Sequence, residues 1–133
     1  MALDLAALPT ALEPLLYEYV LGTLTTLRPD GSPHVVAVGW TWDPGTRTAR
    51  VITSSNSRKA AHVRAGSRAV VCSVAGPRWI SIEGSARVSS EPQEVAQAEA
   101  LYGKKYGGPR PSLSRVAIII TADRALGSVG RPG

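Results

Sequence analysis

A chain of 133 residues with 44% apolar side chains can bury one core but is too short for two, and so much apolar content excludes a largely disordered chain. Its formal net charge of +5 and isoelectric point near 9.9 point to an anionic partner: nucleic acid, a membrane surface or a phosphorylated small molecule. The basic residues are scattered, without a run, and the aromatic repeats of a single-strand nucleic-acid platform are missing, so a nucleic-acid partner is disfavoured. Cys72, the single cysteine, lies in an apolar run; it reads as a buried structural thiol and places the protein in a reducing cytoplasm. No stretch approaches the ~20 apolar residues of a membrane span, and the N-terminus lacks the features of a signal peptide. His34 and His62, the two histidines, fall in different elements, so no metal site is expected.

In chain order, Leu3 to Tyr19 reads as an N-terminal helical segment, interrupted by Pro9 and Pro14 and better divided into two short helices. Leu21 to Leu27 alternates apolar and polar residues as a strand, and the Pro-Asp-Gly of Arg28 to Pro33 is a tight reversal. His34 to Trp42 is expected as one second strand, with Trp40 and Trp42 packed in a core or dimer contact. Asp43 to Thr48 turns the chain into a third strand, Ala49 to Thr53, completing an antiparallel meander. A short helix follows, and then a fourth strand from Arg68 to Ala75, a reversal at Gly76-Pro77 and a fifth strand from Trp79 to Val88. Ser90-Glu-Pro-Gln93 fits a capping box opening a helix that runs to about Tyr106 and ends at Gly107-Gly-Pro109. Tyr102 and Tyr106 form a packed stripe on it. Val116 to Thr121 is the sixth strand, and residues 129–133 read as a flexible tail. The whole chain is expected as one mainly β domain: six antiparallel strands with short helices, closed or nearly closed into a barrel.

The stretch from Ile52 to Arg64 carries the clearest chemistry. A strand ends in four small polar residues, and a short helix then begins with two cations. Unpartnered N–H groups and a positive dipole at the helix start suit a phosphate, to which Thr53, Ser54, Ser55 and Ser57 add hydroxyls and Arg58 and Lys59 add charge. The same residues would also make an ordinary surface helix with Ser57 as its N-cap.

Order and spacing add a resemblance. Leu21-Gly-Thr-Leu-Thr-Thr-Leu-Arg-Pro-Asp-Gly-Ser-Pro-His-Val-Val-Ala-Val38, then Ser57-Arg-Lys59, then Arg78-Trp-Ile-Ser-Ile-Glu-Gly84, resemble the split β-barrel flavin and deazaflavin oxidoreductases, the pyridoxamine 5′-phosphate oxidase-like proteins. The likeness runs from about Leu21 to Ser128. Within that group the chain is most similar to the actinobacterial branch that uses coenzyme F420, and there to the F420-dependent biliverdin reductases. The resemblance implies an FMN-binding split barrel-like fold and a homodimer with the cofactor in a groove between subunits. It further implies that His34, Val36, Ala37 and Val38 face the ring system, beside Ile52. Thr53, Ser54, Ser57, Arg58 and Lys59 would hold the phosphate, with Arg64 further along the helix, and Trp79 of the second subunit would pack near the ring.

F420 is favoured over FMN, because its phosphodiester and acidic tail suit a broad positive field and no dense clamp for a terminal phosphate is evident. The implied activity is hydride transfer from reduced F420 to a conjugated planar small-molecule acceptor such as biliverdin. An FMN-dependent oxidase and a non-catalytic F420 holder are the alternatives. No catalytic side chain is assigned, since the cofactor supplies the hydride; water, Arg78 and His34 stay open as proton relays.

Overall fold

The computed structural model describes residues 1–130. Eight strands form one antiparallel sheet: β1 (Ala2–Leu3), β2 (Gly22–Leu27), β3 (Pro33–Val38), β4 (Thr41–Asp43), β5 (Thr48–Ser54), β6 (Ala69–Ala75), β7 (Arg78–Ser89) and β8 (Arg115–Ser128). Three helices join them: α1 (Glu13–Tyr17), α2 (Arg58–Arg64) and α3 (Pro92–Tyr106). The hydrogen-bonded order is β3-β2-β6-β7-β8-β5-β4, with β1 added beside the end of β8.

The mainly β barrel expected from the sequence is present, but with eight strands where six were expected, and its ladder does not close. The expected second strand is broken at Gly39-Trp40 into β3 and β4, which occupy opposite edges of the sheet. Two residues span at most ~7 Å. The sheet must therefore curl until its edges meet, so covalent connection achieves what hydrogen bonding does not. Trp40 fixes this crossing: its ring is fully buried and its indole N–H donates to Ser73 Oγ at 2.8 Å.

Along the middle strands, alternate residues turn inward. Leu24, Val71, Ile80 and Ile82 are fully buried and pack with Ile118, Ile120 and Val51, each contributing about 1.5–3 kcal/mol of burial free energy. Gly84 marks a register shift between β7 and β8, where a Cβ would collide with the Thr121 carbonyl oxygen. Only glycine fits that close approach.

The N-terminal helical segment is a correction. Ala2 and Leu3 pair with Leu126 and Ala125 as a strand, and only a 3₁₀ turn at Thr10–Leu12 and the five residues of α1 are helical. Pro9 precedes the turn and Pro14 occupies the first helical turn, where a missing N–H is harmless. The start of α3 also differs from the expected capping box. Pro92 sits at the first helical position, so Glu91 is the cap, and its carboxylate accepts from the N–H groups of Gln93 and Glu94. Ser89 and Glu94 complete this corner through a 2.6 Å bond. β8 runs seven residues past the expected end at Thr121, to Ser128. Of the tail 129–133, Val129 and Gly130 follow that strand, and the last three residues lie outside the described ones.

Candidate functional site

The split in the barrel creates the main cleft. β4 pairs only with Thr48, Ala49 and Arg50 of β5, leaving Ile52, Thr53 and Ser54 without a strand neighbour on that side. Ala37, Val38 and Gly39 at the end of β3 form the opposing lip. Between them is a cleft of about 460 Å³, with Lys59 of α2, Tyr102 of α3, and Arg110, Ser112 and Arg115 around its rim.

The wall beside Gly39 is built by close packing. A Cβ there would lie 2.9 Å from the Tyr106 ring and 3.0 Å from the Tyr102 ring, so the glycine lets the tyrosine pair approach the strand end. Tyr106 anchors that contact: its hydroxyl meets the Val20 and Trp40 carbonyls at 3.0 and 3.1 Å and receives the Trp40 N–H at 3.1 Å. Lys105, on the same helix turn, donates to the carbonyls of Leu15 and Trp40 at 3.0 and 2.8 Å. The expected tyrosine stripe is thus packed, with centroids 4.9 Å apart, yet Tyr102 also faces the cleft.

Charge in this cleft is unevenly committed. Arg115 is paired with Glu99 at 2.8 Å. Lys59 has no hydrogen bond or ion pair among the described residues, and burial pushes its ammonium below the ordinary lysine range. A desolvated, unpartnered ammonium gains from an anion that a hydrated one would not need.

The sequence-derived site residues divide into groups. Ala37, Val38, Ile52, Thr53, Ser54 and Lys59 come together in the cleft. Val36 alternates inward and packs against the core. Ser57 caps α2 by accepting the Ala60 N–H at 3.2 Å. Arg64 clasps Ser55, donating to its carbonyl at 2.6 Å and its hydroxyl at 3.2 Å. His34 and Arg58 line a different cleft on the other side of α2. Trp79 stands outward on β7 beside Val74 and Ser128, and does not line the cleft of its own chain. Tyr102, Arg110, Ser112 and Arg115 were not found by sequence reasoning. The basic Arg110-Pro-Ser112 after the helix-ending Gly-Gly-Pro was the available signal.

Cys72 is half-buried on the outward side of β6, not in the core, and burial raises its thiol pKa. No helix among the described residues is long and apolar enough to cross a membrane.

The family model for pyridoxamine 5′-phosphate oxidase matches residues 8–127. The chain belongs to the pyridoxamine 5′-phosphate oxidase family. Within that family it is 50% identical over 113 residues, 85% of its length and 82% of the relative's, to a Mycobacterium tuberculosis (strain CDC 1551 / Oshkosh) protein named F420H(2)-dependent biliverdin reductase. The crystal structure of a conserved hypothetical protein from Mycobacterium tuberculosis is similar over 91% of this chain and 84% of that one, with a TM-score of 0.75 at 25% identity. A solved F420 reductase matches 90% of this chain and 98% of its own, with a TM-score of 0.72 at 23% identity. These structural matches extend the pyridoxamine 5′-phosphate oxidase assignment to a shared split-barrel fold.

Proposed function

We propose that the protein is an F420H2-dependent reductase that passes a hydride to a conjugated planar acceptor, biliverdin being the first to test. The 50% identity to the F420H(2)-dependent biliverdin reductase carries this reading. The cleft fits the cofactor's chemistry: Lys59 offers an unpartnered cation, Thr53 and Ser54 offer hydroxyls beside it, and Ala37, Val38 and Gly39 offer a wall without bulky side chains. Bound in its reduced form, F420 supplies the hydride. The chain's own work is to hold the phosphate side through Lys59, Thr53 and Ser54, to wall the site with Tyr102, and to leave one side open for the acceptor.

A homodimer belongs to the same proposal. The outward face of β3, β2, β6, β7 and β8 carries the rows Ala37, Thr23, Cys72, Ser81, Leu126 and Val35, Thr25, Val70, with Val74 and Trp79 beyond them. The residues named are uncharged, the second row continues into the charged pair Glu83 and Arg124, and Val35 and Val74 are 58% and 62% exposed. No helix among the described residues covers this face, and a second copy laid on it would bury Val35, Val70, Val74, Trp79 and Leu126 together. Ala37 belongs both to this face and to the cleft, so Trp79 of a second copy is well suited to complete the site. A reducing cytoplasm is the compartment in which F420 chemistry and the lone cysteine fit together.

Side-by-side titration of F420 and FMN tests the reading. F420 is expected to bind at micromolar or tighter concentration and FMN more weakly. Stoichiometric FMN that F420 fails to displace would replace this proposal with an FMN-dependent oxidase.

A further inference from the structure

A cleft of about 410 Å³ opens between α1, the edge strand β4 and the last two turns of α3. It shares no residue with the Lys59 cleft: Leu101 and Tyr102, adjacent on α3, line the two separately. Its walls are Leu16 and Tyr17 of α1, Trp42 and Pro44 at β4, and Leu101, so most of what a ligand would touch is apolar. Apolar clefts of this size with a few converging polar groups are the usual form of a small-molecule site.

Three polar side chains contribute to this one. Thr41 is 5% exposed, and its hydroxyl is buried without a hydrogen-bond partner. The fold does not need an oxygen there, since a valine would fill nearly the same volume and leave no polar atom unpaired. Lys105 is 7% exposed, and its ammonium donates to the Leu15 and Trp40 carbonyls, which uses two of its three N–H bonds. It pairs with no carboxylate among the described residues, and burial lowers its pKa only to about 8, which leaves it mostly protonated at pH 7. Lys104, exposed at the rim, adds a second cation. The one acid in the lining, Asp43, is committed to Arg50 at 3.4 Å and to the Gly45 N–H at 3.0 Å.

We propose that this cleft binds a small apolar carboxylate, with its hydrocarbon part against Trp42, Pro44 and Leu101 and its charged end toward Thr41, Lys104 and Lys105. Charge decides the class of ligand. An apolar cation would meet two ammonium groups, and an uncharged molecule would leave them without a counter-charge, whereas a carboxylate accepts from the hydroxyl and from both lysines. The inference does not rest on the F420 reading, because no residue of the cofactor cleft takes part.

Calorimetric titration of the full chain at pH 7, without F420, compares 2-naphthoate with its uncharged analogue 2-naphthamide. The naphthoate is expected to bind saturably, one molecule per chain, at least ten-fold more tightly than the amide. Leu101→Trp, which fills the cleft, should abolish that binding. Thr41→Val should weaken it about ten-fold in protein whose circular dichroism is unchanged, a loss that a threonine serving only the fold would not produce. Should Leu101→Trp fail to fold, the amide comparison and Thr41→Val decide the matter. No saturable binding overturns the proposal, as do equal affinities for naphthoate and amide, binding that a folded Leu101→Trp retains, or affinity that Thr41→Val leaves unchanged.

Discussion

The two clefts flanking α2 differ in how they treat charge. In the first, a desolvated lysine, with Arg110 and the Glu99-paired Arg115 at the rim, faces small strand residues, hydroxyls and a tyrosine, an arrangement suited to a large ligand with one anionic side. In the second, two arginines and two histidines share a space with Pro29. Adjacent residues on one short helix, Arg58 and Lys59, thus serve different spaces. Proximity in sequence to a phosphate-like turn does not decide which cation meets which ligand.

The largest expected effect comes from the outward face, which borders the first cleft only. Val74→Glu would bury a charge in the proposed dimer contact, and a dimer should dissociate to monomer in sedimentation at micromolar concentration with the monomer fold retained in circular dichroism. A dimer unchanged by the substitution would move the contact elsewhere. Next comes Lys59→Ala, expected to weaken F420 binding by about ten-fold or more, equivalent to roughly 1.5–3 kcal/mol for a charge-assisted bond. Arg58→Gln should weaken it less. Equal losses would merge the two clefts into one site.

Ser57→Ala separates capping from ligand contact. Because the hydroxyl receives the Ala60 N–H, the variant should lose about 1 kcal/mol of stability in denaturant titration while F420 affinity changes little. A pH-dependent effect concerns the support behind Tyr102. Burial lowers the Lys105 pKa to about 8, so between about pH 8 and the ordinary lysine range the unfolded chain binds more protons than the native one. Stability should therefore gain a rising contribution with pH across that window. Comparing urea titrations of the wild type and Lys105→Met would reveal it, because the variant should lack that rise.

Much of this architecture was legible in the chain. Clean alternation along Trp79 to Val88 gave the central strand, and Ile52 to Lys59 gave one wall of the cleft with its cation. Three features were hidden for physical reasons. β4 is three residues long and continues an apolar run, so only the tertiary crossing at Gly39-Trp40 reveals the break. β8 continues through Gly127, where composition signals a stop; there the lack of a side chain is required, since a Cβ would lie 2.6 Å from the Trp79 carbonyl oxygen. Arg110, Ser112 and Arg115 reach the cleft from more than fifty residues beyond Lys59, a distance no local pattern spans. The resemblance put His34 on the ring side and Arg58 on the phosphate side of one cofactor site; strand alternation alone cannot say which side of α2 a neighbouring side chain meets, and both line the cleft away from Lys59.

The most direct test of the central claim is a single-turnover experiment in which reduced F420 is bound to the protein and biliverdin is added, with oxidised F420 followed by absorbance. The account predicts that oxidised F420 appears faster with the protein than without it, in step with loss of biliverdin, and that Lys59→Ala slows this at subsaturating F420. Tight binding of F420 with no acceleration by biliverdin, a quinone or an enone would contradict the reductase and leave a cofactor-holding protein in its place.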